Sequence, residues 1–194
     1  MLRIKDLGFW EAPRKRYEER LREVESKPPR WETFDFYGRR RPWVDLEITP
    51  DMQMDRLWDS VKDLDLTWRY VHDLIEHGRR TEELDLVGRL EEIEIQVDEI
   101  ISLIYPPWKK SKQLNNVTEN RRRLKEAMKK LEAALEAFKL IYIDVSLKLE
   151  ARRGGWIETT PNIYRHLRDA AYGLRKWLEW DKQHALKSED LEPK

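Results

Sequence analysis

Between Leu57 and Ile75 the apolar residues Leu57, Val61, Leu64, Trp68, Val71 and Ile75 recur at alternating steps of four and three. That spacing lays them on one stripe of a 3.6-residue helix and scatters them over both faces of a strand, so burial has to come from helix packed on helix. The stripe returns in Leu86, Leu90, Ile93, Val97, Ile100 and Ile104, and again in Val117, Leu124, Met128, Leu131, Leu135, Phe138, Tyr142, Val145 and Leu149. A fourth copy runs through Ile163, Leu167, Ala171, Leu174, Leu178 and Ala185.

The ends of these segments carry their own signals. Pro50 stands near the first start, and Gly78 is the expected stop. Pro106 and Pro107 forbid the second to continue, and Gly154 and Gly155 stop the third. Thr160 as N-cap with Pro161 at the first helical position opens the fourth. The prediction is an all-α chain: a four-helix bundle of long antiparallel helices over residues 51–187, an N-terminal arm over 1–50 and a polar tail over 188–194. Seven glycines and nine prolines in 194 residues, with 39% charged, suit packed, salt-bridged helices better than a sandwich or a disordered chain. One local conflict stands: Ile141, Ile143, Val145, Leu147 and Leu149 also alternate like a strand. Helix is preferred there because the heptad spacing passes through unbroken.

The first fifty residues read differently. A short charged helix over about 13–26 offers only Tyr17, Leu21 and Val24, and "PPRWETFDFYGRRRPWVDLEITP" then mixes aromatics, arginines and prolines. Val44, Leu46 and Ile48 alternate with polar residues, which admits a small β-hairpin around Gly38. Such an arm needs a surface to lie on.

The 38 basic and 38 acidic residues cancel, so no global field draws the chain to nucleic acid or a membrane. Absence of cysteine excludes disulfides, thiolate zinc sites and cysteine nucleophiles, and fits a reducing, cytoplasmic setting. No run of apolar residues is long enough to span a bilayer, and no signal-peptide pattern opens the chain. Abundant Glu, Lys and Arg beside few amide residues carry a slight thermophilic colour.

Charge is organised locally. Residues 108–130 hold nine basic side chains against Glu119 and Glu126, and residues 81–99 hold eight acidic ones against Arg89. A hairpin turning at Pro106 and Pro107 lays one block on the other, with residue 99 near 121, so internal neutralisation is the favoured reading. Arg121, Arg122 and Arg123 resist it, since cations near a helix N-terminus oppose the macrodipole. A second basic surface gathers Arg165, Arg168, Tyr172, Arg175 and Lys176 on one side of the fourth helix, with Arg152 and Arg153 just upstream. Basic groups around an aromatic suit phosphate neutralisation with base stacking, although Asp169 and Glu179 beside them also suit a solvated mixed-charge face.

Catalytic patterns are scarce. His72 with Glu76, and Asp73 with His77, stand one helical turn apart as a metal pair would, and Glu91, Glu94 and Asp98 share a helix side as magnesium carboxylates do in all-α nucleotide hydrolases. The matching acidic motif on the next helix is missing. No Glu-x-x-His pair, phosphate-cradling glycine loop or Gly-x-Ser-x-Gly elbow occurs, so no catalytic residue, metal or cofactor is assigned.

Two features instead suggest association. In the third helix Leu140, Ile143 and Leu147 form a second apolar stripe off the core face, which calls for a covering layer. Trp31, Phe34, Phe36 and Trp43 of the arm are the favoured cover, and the same stripe of a second copy is the alternative. The functional expectation is a non-enzymatic binding or assembly protein with a protein partner. A nucleic-acid-associated role on the basic helix face comes second, and a metal-dependent hydrolase third.

Overall fold

In the computed structural model residues 4–27, 39, 50–104, 117–150 and 159–189 are described, the side chains of 4–10, 50–56, 117–120 and 184–189 excepted. Nearly all of these residues are helical and none lies in a strand. The helices are α1 (Ile4–Ser26), α2 (Pro50–Arg80), α3 (Leu84–Ile104), α4 (Val117–Val145) and α5 (Thr159–Glu189), with a π-helical turn, Ser146–Glu150, prolonging α4. The chain is all-α. The strand alternation over 141–149 loses to the helical period, and the widened turn is how α4 ends. Residues 28–38 and 40–49, where the hairpin was placed, lie outside the described residues.

Helix α2 packs on both α3 and α5, α3 packs on α4, and α4 packs on α5. The predicted stripes meet in one core: Leu64, Val71 and Ile75 of α2, Leu90, Val97 and Ile100 of α3, Leu131, Phe138 and Tyr142 of α4, and Ile163, Leu167 and Leu174 of α5 are all buried. Each such side chain contributes on the order of 1.5–3 kcal/mol by leaving water. Phe138 and Tyr142 meet edge to face at 6.3 Å, and Tyr142 meets Tyr164 likewise at 6.2 Å.

Helix α1 begins nine residues before Pro13, the position taken above as its first turn, and carries that proline inside it. It lies across α5, the π-turn and α4. Val24 is buried there, and Tyr17 and Leu21 pack at the core edge, so this thin stripe is used in full. Three polar ties hold its end. Arg168 donates to the carbonyl of Val24, Tyr164 Oη donates to Glu25 at 3.0 Å, and Lys139 pairs with Glu25 at 2.6 Å.

Gly78 does not close α2. The helix continues to Arg80, and Glu82 takes the left-handed position at φ 59°. Glu83 N donates to Gly78 O at 3.0 Å and Glu82 N to Arg79 O at 3.4 Å, the paired bonds of a Schellman turn. Gly78 serves a different purpose: a Cβ on it would stand 2.7 Å from Val87 Cγ2 and 3.5 Å from Leu149 Cδ1. The missing side chain lets α2, α3 and the π-turn close on one another.

At the same pole α5 is capped from another element. The buried carboxylate of Glu150 accepts from Thr159 N at 2.8 Å and from the Thr160 hydroxyl, and Ser146 Oγ lies 2.6 Å from Thr160 Oγ1. An anion at a helix N-terminus satisfies free N–H groups and complements the dipole. Helix α5 therefore begins at Thr159, ahead of the expected N-cap Thr160, and the cap acceptor comes from the π-turn.

Candidate functional site

Spacing along α2 puts Asp59, Asp63 and Thr67 one turn apart, and all three are buried, as is Ser60. Facing them, α5 presents His166 and Asp169, three residues apart and also buried. His166 Nδ1 donates to Asp63 Oδ1 across 2.8 Å, and its ring stacks on Tyr70 at 6.2 Å. Thr67 returns its hydroxyl to the Asp63 carbonyl at 2.9 Å. The result is a polar seam inside an otherwise apolar contact. Burying such groups is costly unless they are paired, and pairing them fixes which residue faces which.

Sequence reasoning missed this seam. His166 was given no role, and Asp169, placed on the solvated face, has no exposed surface and takes Arg168 Nη2 at 3.4 Å. A signal was present: Asp59, Asp63 and Thr67 recur every four residues on a second side of α2 that also carries Leu74, away from the predicted stripe, and His166 sits in phase with Ile163 and Ala170 of α5.

The basic face of α5 is partly committed to internal bonds. Arg168 holds the end of α1, and Arg175 reaches Glu132 of α4 at 3.1 Å. Lys176 pairs with Glu179 at 3.0 Å and rests over the Tyr172 ring at 5.5 Å. Arg165 is half-buried, and its Nε makes no hydrogen bond. Arg152 and Arg153 lie outside the described residues.

The charge blocks meet in a different pattern from the hairpin expectation. Glu99 pairs with Lys130 at 2.9 Å rather than lying level with Arg121, while Glu91 turns to Arg79 at 2.6 Å and Glu94 to His72 at 2.8 Å. Arg121 makes a two-pronged contact with Asp181 of α5. Arg122 is exposed and Arg123 half-buried. The offset has a cause: Gly78, Val87 and Leu149 align the helices at the π-turn pole, with Lys148 3.9 Å from Glu83. The extra length of α4 therefore projects beyond α3 at the other end.

The candidate metal pairs do not assemble. His72 stacks on Trp68 at 5.1 Å and pairs with Glu94, and no three His, Asp or Glu side chains converge among the described residues. No helix among them is long and apolar enough to cross a membrane.

Electrostatics single out the α1 contact. Burial first, then the hydrogen bond to Glu25, pushes the Tyr164 phenol up to about 12. Lys139 holds the Glu25 carboxyl below its usual range, and Glu25 in turn raises Lys139.

The second apolar stripe of α4 divides. Ile143 is half-buried against the core, Leu147 is half-buried at the π-turn end where α1 crosses, and Leu140 is 82% exposed. The arm aromatics Trp31, Phe34, Phe36 and Trp43 lie outside the described residues. Helix α3 likewise shows water Leu84 at 68% and Ile95 at 59%. No family model matches the chain, and no curated protein or solved structure was found similar to it.

Proposed function

We propose that the chain is a non-enzymatic binding protein, an adaptor or subunit of a larger cytoplasmic assembly. In this reading α2 to α5 form a four-helix bundle, and residues 1–50 are an arm laid against it. The observation that carries the proposal is Leu140, a leucine 82% exposed on a well-packed helix. Water around it forgoes roughly 1.5–3 kcal/mol that a partner's surface would recover. Support comes too from the ionic groups, many of which serve the chain's own contacts.

The test is retrieval of partners from the native host by the intact chain and by its Leu140→Asp, Leu147→Asp variant. Specific partners retained by the first and lost by the second support the reading. Identical retention by both sinks it.

Nucleic-acid binding is the second reading, favoured by Lys176 seated over Tyr172 on the basic face of α5. A polyanion laid along Arg165, Tyr172 and Lys176 would release counterions on binding. Affinity for single-stranded DNA or RNA would then fall steeply from low to physiological salt. No binding at low salt would remove this reading.

A further inference from the structure

We propose that the groove between α4 and α5 is a helix-binding seat with α1 as its internal occupant. Helix α1 releases as a unit and cedes the seat to a partner's helix of the same character: two apolar residues three apart, then a glutamate, at the helix C-terminus. The inference goes beyond the binding reading above and draws nothing from Leu140, which is 82% exposed with α1 docked.

What α1 adds to the fold is small. The contacts among α2, α3, α4 and α5 close on themselves without it. From Glu11 onward, where its side chains are described, Val24 alone is buried, with Tyr17 and Leu21 half-buried against the core. A segment with so few buried apolar contacts opens at lower free energy than the core it covers. Its helical form has support of its own. Arg14 pairs with Glu18 at 3.1 Å and Lys27 with Glu23 at 2.5 Å, each four residues apart, and such pairs act within the helix whether it is docked or free. Release gives up the groove contacts and leaves these pairs in place.

The seat is specific where the helix ends. Arg168 of α5 donates to the carbonyl of Val24, in the last turn, where intrahelical donors run out. Lys139 of α4 pairs with the Glu25 carboxylate at 2.6 Å, and the buried Tyr164 of α5 donates to it at 3.0 Å. One carbonyl and one carboxylate are thus read beside the single buried apolar side chain. The last turn of α1 holds Glu23 and Glu25 and no base, against the preference of the helix dipole. Glu25 therefore serves docking rather than the helix that carries it. Burial, then the Glu150 carboxylate, pushes the Tyr17 phenol up, which places Tyr17 at the π-turn pole. So α1 runs antiparallel to α4, from Glu150 towards Lys139. A competing helix without an acid in its final turn would leave Lys139 and Tyr164 without their shared acceptor, and this charge requirement defines the partner.

The test uses the full chain and a fluorescent peptide of residues 11–27. The native chain should bind it weakly, because α1 fills the seat. Glu25→Lys in the chain sets a cation against Lys139 and vacates the seat. It should tighten binding of the native-sequence peptide by about tenfold or more, with helical circular dichroism unchanged, and Val24→Asp should do so by a second route. Adding Lys139→Glu to the Val24→Asp chain should abolish binding, and a Glu25→Lys peptide should restore it. In hydrogen exchange of the native chain, α1 amides should exchange faster than the core amides of α2 to α5, and Lys139→Glu should quicken α1 selectively. No gain from either variant, binding that survives Lys139→Glu, or α1 amides as slow as the core overturns the proposal. Failure of the Leu140 partner test leaves these outcomes untouched, so the two readings fall separately.

Discussion

At the scale of single residues, two glycines in helices carry opposite instructions. At Gly88 the Cβ position is open, so Gly88→Ala should raise stability by about 0.5–1 kcal/mol through helix propensity alone. At Gly78 the same change drives a methyl to 2.7 Å from Val87 Cγ2 and should lower stability by about 1–3 kcal/mol. Urea unfolding in dilute protein distinguishes them, and the same sign at both sites would contradict the packing described at the π-turn pole. Glu82 offers a third test. An L side chain at φ 59° is strained, so Glu82→Gly should leave stability unchanged or raise it by up to about 1 kcal/mol. Tyr164 gives a pH signature. Its phenol ionises near 10 when unfolded and near 12 when folded, so its contribution is complete below pH 10 and is lost as pH rises to about 12. The urea midpoint of the native protein should fall through that window more steeply than that of Tyr164→Phe. Parallel curves would mean that the Tyr164 phenol is not buried and tied to Glu25 as described. Glu25 acts at the opposite end: its depressed pKa adds stability above about 4.5 that disappears as pH falls through the lower folded value.

At the scale of helices, the apolar period located α2, α3, α4 and α5 because a stripe is a statement about one helix alone. What it could not locate were features that depend on a second element. Pro13 inside α1 is one, because a proline reads as a start unless the helix before it has a surface to lie on. Gly78 is another: the sequence shows a terminator, and only the approach of Val87 and Leu149 shows a contact. The cap of α5 is a third, since Glu150 lies nine residues before Thr159 and reaches it through a π-turn. The basic surfaces were legible as charge and illegible as partners. Arg168, Arg175 and Arg121 found theirs on α1, α4 and α5 respectively, none of them neighbours in sequence apart from Asp169. Glu150 supplies the test at this scale. Glu150→Ala leaves the Thr159 N–H and the Thr160 hydroxyl without their acceptor and should cost about 1–3 kcal/mol. Hydrogen exchange should quicken at the N-terminal amides of α5 before it does elsewhere, and uniform quickening would argue against a local cap.

At the scale of the molecule, the seam of Asp59, Asp63, Thr67, His166 and Asp169 has a consequence for the folding landscape. Stripes of Leu, Ile and Val repeat every seven residues, so α5 displaced against α2 by a heptad buries nearly the same hydrocarbon. Such misaligned packings compete closely with the native one in any bundle of uniform core. A histidine that must find one aspartate separates them, because a displaced helix leaves both groups dry and unanswered. Replacing both partners with leucine, Asp63→Leu with His166→Leu, should therefore leave the melting temperature unchanged or higher while multiplying the amide peaks in a nitrogen–proton correlation spectrum. A single sharp set of peaks would show that apolar shape alone selects the native alignment. The energy gap that makes this chain adopt one arrangement is, on this account, kept open by its least hydrophobic interior residues.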